Sequence, residues 1–247
     1  MLALYKLFGK LLPISNAKYK TDKPIEELRT KYLKFDFKQI GLLVILSFVF
    51  IYGLFVLFSG LINFKFSFFS ESTIVVKPYP EMIFLVSAFS GLLLSSLVSL
   101  STSRYLLKDD WAEYLAYNNL KYRFNYIAAS KYVFKGFGLV TGLLVIMFFD
   151  WHSAFGPKEI QLNGLLSLGT KTYLYEDITE LKDVEKLIAP NGDIVNDPHY
   201  LIKFKDGKKW NSRNNGFADY MADSKIMDLA LSKTNLKLIE VEFDSAK

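Results

Sequence analysis

The sequence predicts an integral membrane protein: an α-helical bundle of three spans followed by a small α+β C-terminal domain. Three observations predict it. Two long runs carry no charge, a third shorter run follows them, and the texture changes sharply after Phe155. Between Lys38 and Lys65 lie 26 uncharged residues, and between Glu81 and Arg104 another 22. About 20 apolar residues suffice to span a bilayer. A soluble helix would show a polar face, and the first run shows none.

The third run is shorter. Only residues 136–149 are free of charge, which makes fourteen. It reaches a spanning length only with its flanks. Lys135 can extend its ammonium back to the headgroups, and Tyr132 and Trp151 are rings suited to the two interfaces. The alternative is a re-entrant or interfacial helix. The expected spans are therefore about 39–64, 82–104 and 132–151.

Charge sets the expected orientation, because Lys and Arg accumulate on the cytoplasmic side. Residues 21–38 carry five, the loop 65–81 two, the segment 104–135 six, and the first twenty or so residues after the third run only Lys158 and Lys171. That alternation implies three crossings of a cell membrane. The N-terminal segment 1–38 lies in the cytoplasm and the tail from about residue 156 on the other side. The net charge of +5 follows from this topology and gives no reason to expect nucleic acid.

Small residues suggest how the spans pack. Ser87, Gly91, Ser95, Ser99 and Ser103 recur every four residues, and Gly138 and Gly142 form a GxxxG pair. Such stripes let helix backbones approach closely in lipid. The reading is a contact between spans two and three or a self-association face, hence a homo-oligomer or a complex with other membrane subunits. Around residues 110–130 a further helix is expected beside the membrane, opened by an Asp110/Glu113 capping box. Trp111, Tyr114 and Tyr122 on it, with Tyr132 and Trp151, are the expected interfacial aromatics. The N-terminal "LYKLFGKLL" reads as a short helix among lipid headgroups that ends near Pro13.

The tail, 156–247, alternates short apolar clusters with charge. "KEIQLN", "LLSLG", "KTYLYEDI" and "VEKLIA" read as strands, and "HYLIKFKDGKKW" as a hairpin turning at Asp206-Gly207. "GFADYMADSKIMDLALSKTNL" has helical spacing, with Phe217, Tyr220, Ser224, Met227 and Leu231 on one stripe broadened by Met221 and Ala230. "LKLIEVEF" alternates as a last strand. An antiparallel sheet covered by one helix is expected. The segments "IQLNGLLSLGTKTYLYEDITEL" and "YLIKFKDGKKW", then an amphipathic helix, resemble the bacterial pleckstrin-homology-like (PH-like) domains that follow membrane spans. The resemblance implies an interaction or regulatory module and brings no site residue. The strand after the helix departs from the usual order.

Catalytic sets do not emerge. The two histidines, His152 and His199, lie outside the first two spans, and no GxSxG, HExxH, P-loop or GxGxxG occurs. With no cysteine, thiolate chemistry is excluded. Asp150 with His152, or Asp197 with His199, makes a poor chelate. The expectation is a non-enzymatic protein without cofactor or metal. It assembles through its spans, contacts membrane lipids, and presents a domain for protein–protein interaction. The alternative is a subunit of a lipid-handling enzyme or transporter complex.

Overall fold

The computed structural model describes residues 8–164, 167, 169–189, 191–215 and 220–245. Contact patterns divide the chain into two units. One comprises Met1–Phe58 with Phe84–Val145, the other Ser59–Ile83 with Ile146–Lys247.

Four helices build the first unit. α1 spans Ile25–Phe66, α2 Pro80–Leu107, α3 Trp111–Tyr122 and α4 Tyr126–Asp150. α1, α2 and α4 are long and apolar enough to cross a membrane. At 1.5 Å per residue the 42 residues of α1 reach roughly 63 Å, about twice a bilayer's hydrocarbon core. Its first turns are charged, and Glu26 and Glu27 sit where the helix dipole favours anions. Pro80 opens α2, where its missing N–H costs nothing.

The expected helix over 110–130 is two pieces. Arg123 adopts a left-handed conformation (φ 60°) and stops α3. Asn125 Oδ1 then accepts the Ala128 amide at 3.2 Å, and Asn119 Oδ1 the Tyr126 amide at 2.8 Å, which starts α4. The third apolar helix is consequently 25 residues long and begins before Tyr132. The fourteen uncharged residues are its middle. At roughly 37 Å it exceeds the hydrocarbon thickness. Residues 8–11 are helical, but the rest of the expected N-terminal helix, with Leu4 and Lys6, lies outside the described residues.

The second unit holds two four-stranded sheets. One has the order β1 (Ile74–Val76), β2 (His152–Phe155), β3 (Glu159–Asn163), β4 (Lys171–Leu174), all antiparallel. The other runs β7 (Lys209–Asn211), β6 (Ile194–Phe204), β5 (Ile178–Ile188), β8 (Leu238–Ser245). Here β8 lies parallel to β5, so the sheet is mixed and not antiparallel throughout. The reason is the intervening α6 (Tyr220–Lys233), preceded by the short α5 (Ser212–Asn215). A helical crossover returns the chain in the parallel sense.

Two strands were not expected. β2 begins four residues before the expected boundary at 156. β1 comes from the connection between α1 and α2, pairing Ile74 with Phe155 and Val76 with Ser153. "KTYLYEDI" is interrupted by a 3-10 turn at Tyr175–Asp177 before β5 starts. Of "LLSLG", residues 165, 166 and 168 lie outside the described set. The Asp206-Gly207 turn forms as expected, with Gly207 at φ 82° and the Phe204 amide donating to Lys208 O at 2.9 Å.

The core of this unit joins both sheets and α6. Phe155, Ile160, Tyr173, Leu181, Ile202, Phe204 and Trp210 pack with Ile226, Met227 and Ala230. Met227 and Ala230 are on the expected stripe. Ile226, fully buried, is not. Phe217 and the side chains of Tyr220 and Met221 are outside the described residues.

Candidate functional site

Within the helical unit the small-residue stripe is buried: Ser87, Ser95, Ser99 and Ser103 are almost inaccessible. Its neighbour is α1. A Cβ added to Gly91 would lie 2.7 Å from Ile51 Cγ1 and 2.7 Å from Ile51 N, so the α1 backbone occupies the place of a side chain. Ser47 and Ser95 hydroxyls meet at 3.0 Å. Gln39 Nε2 donates to Ser99 O at 2.8 Å and to Ser99 Oγ at 2.5 Å. The close approach seen here is therefore between the first two apolar helices, whereas the sequence suggested spans two and three or a self-association face. An added Cβ at Gly138 would meet Leu93 at 3.7 Å, and one at Gly142 would have none of the described neighbours within 4 Å. A hollow of about 240 Å³ opens between Gln39, Ser99, Tyr126, Ser130, Leu43 and Phe134.

The charged start of α1 packs on α3. Glu113 accepts from Lys23 at 2.5 Å, Lys31 at 2.6 Å and the Tyr32 hydroxyl at 2.9 Å. Those partners take the carboxylate away from the capping box, and Asp110 makes no side-chain cap. Asp36 accepts from the Tyr114 hydroxyl at 2.9 Å and from Lys121 at 2.7 Å. Beneath them Leu28, Tyr32, Tyr114 and Tyr117 form a buried cluster, with Trp111 on its rim.

Tyr114 is thus a core residue with a satisfied hydroxyl, not an interfacial ring. Trp151 is likewise buried. Tyr122 stacks on Tyr126 at 5.5 Å. Tyr132 is 65% exposed.

In the sheet unit the chain around the two histidines is closely held. Lys65 Nζ donates to Phe149 O at 2.6 Å, which ties the end of α1 to the end of α4. His152 Nδ1 lies 2.7 Å from Asp150 O, and its ring sits 5.9 Å from both Phe66 and Phe69. Burial lowers its pKa and favours neutral imidazole. Asp150 is engaged by Asn163 Nδ2 at 2.8 Å. Buried His199 places Nδ1 2.7 Å from Asp197 O, and Asp197 pairs with Arg213. Among the described residues no group of three or more His, Cys, Asp and Glu can hold a metal ion.

The largest hollow described in this unit, about 490 Å³, lies along β8. It is lined by Asp183, Glu185, Pro198, Glu240, Val241 and Glu242. Burial, helped by the neighbouring Glu240 charge, raises the Asp183 pKa. Lys186 answers Glu242 at 3.1 Å. This hollow was not anticipated from the sequence. The missed signal is acidic alternation in both "KDVE" and "IEVEF", which the parallel pairing of Asp183 with Glu240 turns into one surface.

No family model, curated protein or solved structure matches the chain.

Proposed function

We propose that this is a non-enzymatic, three-span membrane protein that holds a small PH-like domain on the non-cytoplasmic side, where the domain binds a partner protein. The supporting observation is the β1–β2 pairing. A strand from the α1–α2 connection is paired with the strand that directly follows α4. That pairing favours a shared side for the two segments and, with α1 and α2 crossing once each, a crossing by α4. The alternating lysine counts add the orientation.

Native thiols are absent, so single cysteines test the topology cleanly. Glu71→Cys and Lys208→Cys, at exposed positions, should react with an impermeant maleimide in intact cells. Asp109→Cys, also exposed, should stay protected until the cells are opened. Labelling of Asp109→Cys with protection of the other two reverses the orientation. Opposite results at 71 and 208 rule out the shared side.

A second reading, a subunit that handles lipid, rests on the hollow of mixed polar and apolar lining at Gln39, Leu43, Ser99, Tyr126, Ser130 and Phe134. It predicts a lipid that stays bound through purification and is lost on Ser130→Leu.

A further inference from the structure

We propose that the free edge of β8 is a docking site for an extended basic segment of a partner protein, which joins the sheet as an added strand. This names the partner class for the interaction domain proposed above and rests on that reading.

The edge is unusual for its length, and the charges it carries are all acidic. β8 has eight residues, Leu238–Ser245, and among the described strands pairs only with β5. Typical strands have about five or six residues. On a ladder's last strand, the outward N–H and C=O groups have no strand partner, and natural edges are usually blunted by Pro, Lys, bulges or shortness. "LIEVEFDS" has no Pro and no Lys. Its register with β5 advances evenly from Leu238 opposite Leu181 to Ser245 opposite Ile188, so no bulge turns the edge away.

The two faces beside this edge specify what fits. Successive side chains point to opposite faces of a strand. One face carries Glu240 and Glu242, which with Asp183 and Glu185 line the 490 Å³ hollow. Lys186 is the only cation bonded to these four carboxylates among the contacts described, so the surface stays strongly negative. The other face carries Ile239, Val241 and Phe243, paired with Lys182, Val184 and Lys186 of β5, and Val241 also lines the hollow. Ile239 is 46% and Phe243 36% exposed, and Ile188 and Ile194 extend the apolar area across β5 and β6. A segment alternating Lys or Arg with Val, Ile or Phe matches both faces at once, and its backbone supplies the missing ladder partners.

A second copy of this chain does not fit the same edge. Pairing β8 with itself sets Glu240 and Glu242 against the same carboxylates, and like charges directly opposite are destabilising.

The test uses the full-length protein in nanodiscs of zwitterionic lipid, which offer a basic peptide no anionic headgroups. The probes are fluorescein-labelled KVKVKVKVK, its EVEVEVEVE counterpart, and KVKPKVKVK, whose proline removes one donor. KVKVKVKVK should bind and slow amide exchange across residues 238–245. Glu240→Lys with Glu242→Lys should weaken it by about tenfold or more, and the other two peptides should bind far more weakly.

Four results overturn the proposal: no binding of KVKVKVKVK at millimolar concentration, equal binding of the proline peptide, indifference to the double substitution, or Glu242→Cys chains that cross-link to one another through this edge. Each leaves the cysteine-labelling result untouched. A failure of strand addition is thereby distinguished from a failure of the membrane topology on which it rests.

Discussion

Gly91→Ala is a sharp probe of the helical unit, because a single methyl must enter space held by another backbone. The added Cβ would lie 2.7 Å from Ile51 N and 2.9 Å from Ile51 Cα. Carbon atoms in contact prefer about 3.5–4.0 Å, so α1 and α2 must separate locally by roughly 1 Å. Overpacking of this kind costs about 1–3 kcal/mol. The same movement stretches the Ser47–Ser95 contact from 3.0 Å and the Gln39–Ser99 bonds from 2.5 and 2.8 Å. Each hydrogen bond between membrane helices contributes about 0.6 kcal/mol. Replacing Gly by Ala inside a helix returns up to about 1 kcal/mol. The net loss is therefore roughly 1–3 kcal/mol, and at about 2–4 °C per kcal/mol the melting temperature in detergent falls by roughly 3–10 °C. Gly53→Ala is the control. Nothing lies within 4 Å of its added Cβ, so it should melt at or slightly above the parent. Equal melting of the Gly91→Ala and Gly53→Ala proteins refutes the close approach of α1 to α2.

Asp183→Asn should raise stability at neutral pH. Folding raises the Asp183 pKa through burial and the Glu240 charge, so the native state holds this proton more tightly than the unfolded chain. The stability it contributes is full below the ordinary value of 3.8 and is lost as pH climbs through the raised one. The melting temperature of the variant should exceed the parent's at neutral pH and converge with it on acidification. A gap that widens toward low pH contradicts the assignment. Trp210→Ala removes a fully buried ring that meets Phe155 edge-on at 5.0 Å. It should cost about 3–5 kcal/mol, read as faster amide exchange in β5 and β6 of the intact protein. Unchanged exchange there would place Trp210 outside the core.

Features written into contiguous residues were the ones legible in the sequence. The uncharged runs of α1 and α2 and the Asp206-Gly207 turn each declare themselves within a few residues. The serine stripe announced a small helix face but not which helix it meets. Ile51, which decides that, is an ordinary apolar residue in an apolar run. Glu113 matched a capping pattern with Asp110, yet its hydrogen bonds go to Lys23, Lys31 and Tyr32, 81 to 90 residues away. A local motif cannot register such competition. β1 was invisible because three residues, "IVV", carry no periodicity. The acidic hollow was hidden for a related reason: Asp183 and Glu240 meet only through a parallel pairing that spans α6. Arg123 took a left-handed conformation that glycine or asparagine more often fills, so the end of α3 had no sequence marker.

The pairing of β1 with β2 also imposes an order on biosynthesis. Val76 and Ser153 are partners in the sheet but are made far apart in time. At about 5–20 residues per second, β1 waits roughly 4–15 s for β2 to be synthesised. During that interval three further helices must be made, and in the proposed topology two of them, α2 and α4, must cross the bilayer. In that topology the first sheet cannot be completed until α4 is in place, and folding of the domain would record correct insertion: a chain in which α4 stalls would leave β1 as an open strand. For the same reason residues 152–247 expressed alone would expose the flank of β2 that β1 covers. A soluble version of the domain should carry residues 72–78 joined to it.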